Sequence, residues 1–257
     1  MSLAIEGASA PATRQVSLEA PWQWLAAGWR DLWRAPAVGL GYGLVVAAAG
    51  AALSLGLFYL GALPLVLPLA AGFMLLGPML AVGLYETSRR LEAGEPLRPA
   101  RLLAVKTASP GQLAFIGILL MLFMLAWVRI ATLLFALFFG LTAYPPIDEW
   151  VALLIFTAEG LIFLIVGTAV GGLLAVTVFA ISAISVPMLM VREIDAVTAM
   201  LTSLRAVRRN PAPMLLWAWL IALLIAFGIA TLYVGLIVTF PLVGHATWHA
   251  YRALVEV

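Results

Sequence analysis

The two histidines of this chain, His245 and His249, stand four residues apart. On a helix that spacing puts both rings on one face, the way paired metal ligands are presented. Two imidazoles do not close a site. The candidate third ligand is Glu86, which occupies the place equivalent to His249 in an internal repeat described below. A His245/His249/Glu86 set would suit zinc, iron or copper. The plainer alternative is a pair of interfacial rings hydrogen bonding beside Trp248 and Tyr251. A two-histidine haem fits less well, because axial ligands approach from opposite faces of the porphyrin and these two share one helix.

A second constellation pairs Arg129 with Glu159. Arg129 interrupts an apolar stretch, and a cation near mid-bilayer costs about 2.5–3.5 kcal/mol, so a partner is expected. Glu159, at the head of the following stretch, has the right sign. An ion pair inside a bundle is the structural reading, an anion or substrate site the functional one, and snorkelling to the outer surface the third. A third group, Glu86, Arg89, Arg90 and Glu92, has the spacing of helical ion pairs at a solvated end. Its functional rival is contact with anionic lipid headgroups. Arg252 holds the place equivalent to Arg89. Ser182 and Ser185 have no base in sequence context. No nucleophile elbow, phosphate loop, dinucleotide fingerprint or zinc-protease motif occurs. There is no cysteine, hence no disulfide or thiolate chemistry. The sequence predicts no enzyme and no cofactor.

The elements that must position these residues follow from composition. Of 257 residues, 65% are hydrophobic and 10% charged, against about 45–50% and about 25% in a soluble domain. The mean hydropathy is +1.11. A water-soluble fold of this size cannot hide so much apolar surface. The net charge of +2 is not a nucleic-acid signature, because no basic face with interleaved aromatics exists. The sequence predicts an all-α, polytopic helical membrane protein. Six spans are expected: Ala37–Leu60, Leu65–Glu86, Gln112–Phe139, Leu161–Met190, Met214–Tyr233 and Leu236–Tyr251. A short outer helix is expected near Asp148–Ala158, with a break at Glu159-Gly160. Residues 1–20 are polar and aperiodic and read as a flexible tail, and residues 21–257 as a single membrane domain. Trp22, Leu25, Trp29, Leu32 and Trp33 then mark a Trp-rich amphipathic helix at the headgroup zone.

Placing both termini on one side collects Arg14, Arg30, Arg34, Arg89, Arg90, Arg98, Arg101, Lys106, Arg192, Arg205, Arg208, Arg209 and Arg252 on that side. The positive-inside rule makes it cytoplasmic. The composition suits a multi-pass protein of a bacterial inner membrane. Three segments share one grammar, a cationic amphipathic stretch, a proline, then an apolar span: Trp29–Pro36, Arg101–Pro110 and Ser203–Pro211. Each pre-proline residue is biased away from helix and marks a break. Pro78, Pro187 and Pro241 fall in the second span of each unit. This is the grammar of a threefold repeat of interfacial helix plus hairpin. Small residues at Gly39, Gly41, Gly43, Gly167 and Gly171 permit close helix contact.

The strings GLYETSRRLEAGE (Gly83–Glu95), SVPMLMVREID (Ser185–Asp195), AVRRNP (Ala206–Pro211) and PLVGHATWHAYR (Pro241–Arg252) resemble those of a bacterial family of predicted integral membrane proteins known as a domain of unknown function. The resemblance spans roughly residues 20–257. More loosely, the layout is similar to six-span membrane domains attached to some glycerophosphodiester phosphodiesterases. The resemblance implies fold and location and carries no activity.

Three functional readings follow. A non-enzymatic membrane helper, scaffold or assembly protein would have a dry packed core. A transporter or lipid-handling protein would have a cavity reaching mid-membrane. A metal or haem protein would bring the imidazoles and a carboxylate together. The expected partners are membrane lipids and other membrane proteins, and no nucleic acid.

Overall fold

The computed structural model describes residues 11–97, 105–140 and 147–256. Arg98 and Arg101, expected among the cations of one side, and the outer loop from Leu141 lie outside them. Among the described residues the fold is all-α, with one isolated β-bridge between Thr13 and Val255. The helices are α1 (Ala20–Arg34), α2 (Pro36–Tyr59), α3 (Val66–Leu80), α4 (Val82–Glu92), α5 (Pro110–Phe139), α6 (Ile147–Phe156), α7 (Ala158–Ser182), α8 (Ser185–Val191), α9 (Ala196–Arg209), α10 (Pro211–Ala230) and α11 (Leu236–Leu254).

Prolines write the helix starts. Ala35, Ser109 and Asn210 each precede a proline and adopt nearly the same backbone conformation, with φ between −128° and −135° and ψ between 54° and 69°. The ring of the next residue excludes helix there. It then opens α2, α5 or α10, where its missing N–H costs nothing. The helix expected before Pro110 is not formed at residues 105–109, and its first four residues lie outside the described ones.

Five helical stretches are long and apolar enough to cross a bilayer: Pro36–Tyr59, Val66–Ala93, Pro110–Phe139, Ala158–Val191 and Pro211–Ala230. The second and fourth are broken, at Ala81 and at Ala183-Ile184, into α3/α4 and α7/α8. The expected sixth span exists as a helix, α11, but is not in that class. It carries Thr239, His245, Thr247 and His249 and is mostly buried among its neighbours. The short outer helix ends at Phe156. Thr157 makes the break by accepting a hydrogen bond from Gly160 N at 3.0 Å as the N-cap of α7.

Two packing groups result. One has α11 at its centre, with α1, α2, α4 and α10 around it; the other joins α5 to α3 and α7, with α6 on α7. Helices α8 and α9 bridge them. In the first group, small residues set the approach. A Cβ on Gly28 of α1 would stand 2.6 Å from Ala246 N of α11, and Gly43 of α2 abuts the Ile237 backbone as closely. Gly39 also faces α11, whereas Gly41 and Gly167 meet nothing within 4 Å and are not contact glycines.

Helix α1 turns the Trp side chains of the expected face outward and departs from it at Leu32. Its protein side is Ala20, Trp24, Ala27, Gly28, Asp31 and Leu32, while Trp22, Trp29 and Trp33 are about half exposed. Where the outside is lipid, large apolar side chains gain little by turning inward, and small ones gain close packing. The described part of the expected tail, from Pro11 onward, is hydrogen bonded to the rest of the chain. Arg14 N bonds to Leu254 O at 2.8 Å and Glu256 N to Ala12 O at 3.0 Å. Asn210, buried, accepts from Val16 N and donates to Arg14 O, both at 2.9 Å. Both ends of the described chain therefore lie together.

Candidate functional site

At the end of the bundle where the termini meet, three helices pool their polar side chains. Helix α1 brings Asp31, α4 brings Glu86, Ser88, Arg89 and Glu92, and α11 brings His245, Trp248, His249 and Arg252. His249 Nε2 donates to Asp31 Oδ2 at 2.7 Å. His245 Nδ1 lies 2.8 Å from Ser88 Oγ. The Ser88 proton goes to the Asp31 carboxylate, so Nδ1 is the donor of this pair. Ser88 in turn hydrogen bonds the Asp31 carboxylate. The chain reads His245 Nδ1–H to Ser88 O–H to Asp31, with His249 closing on the same carboxylate. Burial pushes the Asp31 carboxyl up, but the hydrogen bonds from His249 and Ser88 outweigh it and hold its pKa below the ordinary value.

The metal arrangement is not assembled. Glu86, expected beside the histidines, is taken by Arg89 Nε at 2.7 Å and Arg90 Nε at 2.6 Å. The far nitrogen of His245, Nε2, is buried without a hydrogen-bond partner. A Cβ at Gly39 would stand 3.4 Å from it, so α2 packs against this edge of the ring. Among the described residues no group of three His, Cys, Asp or Glu is placed to hold one. The charge run on α4 is an ion-pair network: Arg89 also grips Glu95 through Nη1 and Nη2 at 3.0 and 2.9 Å, which lowers the Glu95 pKa. Glu92 accepts from Trp248 Nε1 at 2.9 Å and Arg252 Nε at 3.1 Å. Arg252 thus lies beside Arg89 of α4, at the end where the termini meet.

Arg129 and Glu159 are not brought together. Both are exposed, and neither forms an ion pair among the described residues. Helix length explains this. Gln112 marks the polar end of α5, where it accepts from Ala196 N at 3.0 Å. Arg129 stands about 26 Å further along at about 1.5 Å per residue, close to the far edge of a hydrocarbon core about 30 Å thick. It needs no buried partner there. Glu159 sits in the first turn of α7, where the helix dipole favours an acid.

Between the two packing groups lies a cleft of about 840 Å³. Helices α3, α5, α6 and α7 form one wall, α10 and α11 the other, and no charged residue lines it. Its hydroxyls mostly turn back on their own helices: Thr132 to Val128 O, Ser182 to Val178 O and Thr247 to Val243 O. Tyr85 and Thr247, hydrogen bonded together, line the cleft beside the polar chain. Trp127 fixes the first wall, donating to Pro68 O of α3 at 2.7 Å while its ring rests on Gly171 of α7.

Asp31, Ser88, Tyr85 and Asn210 were not among the candidates read from the sequence. The usable signal for Asp31 was its place on the inward stripe of α1, with Ala20, Trp24, Ala27 and Gly28. For Ser88, Tyr85 and Asn210 only tertiary proximity reveals the role.

The fold and this arrangement define a multi-pass helical membrane protein with a hydrogen-bonded polar end and an apolar lateral cleft. Residues 65–190 match the family described as "predicted integral membrane protein (DUF2189)". The resemblance stated on the sequence strings is met over that stretch, which includes α4 and most of α8 and stops before the AVRRNP and PLVGHATWHAYR strings. No curated protein and no solved structure matches the chain.

Proposed function

We propose that this chain is a non-catalytic lipid-handling protein of a bacterial inner membrane, with its polar end and both termini in the cytoplasm, that seats a lipid acyl chain in its lateral cleft. The cleft carries the reading. Its walls are uncharged and belong largely to helices apolar enough to cross a bilayer, so hydrocarbon rather than water fills it. Its volume of about 840 Å³ is within the range of small-molecule sites, about 300–1,000 Å³. An open apolar hollow is what the lipid-handling reading expects and a dry packed core what the helper or scaffold reading expects, so lipid handling ranks first. The cytoplasmic orientation rests on the cations.

The test is lipid retention. Native mass spectrometry of the full chain, purified in mild detergent, is expected to find bound lipid. Ala175→Trp and Ala218→Trp, on opposite walls, should each strip it while helical content is kept. Equal retention by both variants and the unaltered chain would sink the reading.

A further inference from the structure

A second hollow, of about 510 Å³, opens at the polar end between α4, the turn after α8 and the last turns of α11. It shares no lining residue with the cleft and needs nothing from it. Three guanidiniums converge there from three segments, those of Arg89, Arg192 and Arg252, against the single carboxylate of Glu92. Two of these groups are already committed. Arg89 spends its nitrogens on Glu86 and Glu95. Glu92 is held by the Trp248 indole and by Arg252.

The other two arginines are not saturated. A guanidinium has five N–H donors. Among the described residues Arg252 donates only to Glu92, and Arg192 only to the Glu256 carbonyl and the Tyr251 hydroxyl. Glu92 anchors Arg252 by one edge, and Glu256 and Tyr251 anchor Arg192, so both forks are fixed on the rim of one hollow with donors to spare. Planar forks held in this way match the oxygens of a phosphate, each able to form paired charge-assisted bonds. The Trp248 and Tyr251 rings beside them are the side chains that favour headgroup depth.

We propose that this hollow binds a phosphate group through Arg192 and Arg252. The phosphate is that of an anionic lipid headgroup or of a free anion, and the experiment separates the two. The full chain in neutral detergent is titrated with phosphatidic acid, and separately with inorganic phosphate at constant ionic strength, while thermal unfolding is followed. Phosphatidic acid is expected to raise the unfolding temperature. Arg192→Gln and Arg252→Gln should each weaken the apparent affinity about tenfold or more, and Arg208→Gln, exposed elsewhere on α9, should not. A response to lipid alone assigns the site to headgroups, and a response to both assigns it to the phosphate itself. If removing Glu92's partner keeps Arg252→Gln from folding, Arg192→Ala carries the test alone. No shift with either probe, or variants that respond like the unaltered chain, overturns the proposal.

Discussion

Helices α11 and α7 are close in length and differ in nearly everything else. Most of α11 is buried, including His245, Thr247 and Trp248, while among the residues of α7 only Gly160, Val178 and Ser182 are. Ranked by hydrophobicity alone, α7 would be the core and α11 the surface. The order inverts because the solvent is hydrocarbon. A Leu or Val gains little by leaving lipid, whereas a histidine or threonine in lipid needs partners. The polar end of the molecule is therefore its packed and hydrogen-bonded part. The apolar end is open enough to leave a cleft between helices.

If close approach of small residues is what builds the polar end, blocking it should produce the largest effect available. Gly43→Leu or Gly28→Leu drives a side chain into the α11 backbone, and in a packed interface that strain is on the order of 3 kcal/mol or more. Neither variant should accumulate in folded form in membranes. Gly41→Leu, which meets nothing within 4 Å, should accumulate normally. Equal accumulation of all three, read by size-exclusion chromatography in mild detergent, would mean that α11 is not the centre of the bundle.

The next effect concerns the polar chain itself. Asp31→Ala removes the acceptor shared by His249 and Ser88, and stranding buried donors costs about 2–4 kcal/mol. The unfolding temperature should fall by several degrees. The carboxyl also sets an acid limit. Its folded pKa is depressed, so its stabilisation is complete above its unfolded value of about 3.9 and is lost as pH falls through the lower folded value. The unaltered chain should therefore lose this increment only in strong acid, and Asp31→Ala should lack that limb. An identical acid limb in both proteins would remove Asp31 from the network.

How much of this was legible beforehand divides along the same line. Helix class, the Pro36, Pro110 and Pro211 starts and the outer break near Thr157 follow from rules that act locally. The outward Trp face of α1 belongs with these, except for Leu32, which tertiary packing buries completely. The sixth expected span forms as α11 but lacks the apolarity of the other five, because a helix sheltered by four others tolerates polarity that a lipid-facing one does not. His245, His249 and Glu86 all lie at the polar end, yet their partners were not predictable. Asp31 is more than two hundred residues from His249 in sequence, and the spacing of the pair on α11 carries no information about which helix it meets. The cleft had no sequence signal, since its walls use the same Leu, Ala and Gly as any span.

The smallest expected effect lies at the apolar end. An intramembrane ion pair between Arg129 and Glu159 would make either substitution costly, by about 3–5 kcal/mol once one charge is stranded. The described geometry instead leaves both exposed and without an ion pair among the described residues, with Arg129 about 26 Å along α5 from Gln112. Arg129→Gln and Glu159→Gln should then each change stability by no more than about 0.5 kcal/mol, and the double variant should equal their sum. Unfolding midpoints of the two single variants and the double variant measure this directly. A coupling of more than about 1 kcal/mol between the sites would place Arg129 back inside the bilayer core, and with it the far ends of α5 and α7, so the cleft wall they build would have to be redrawn.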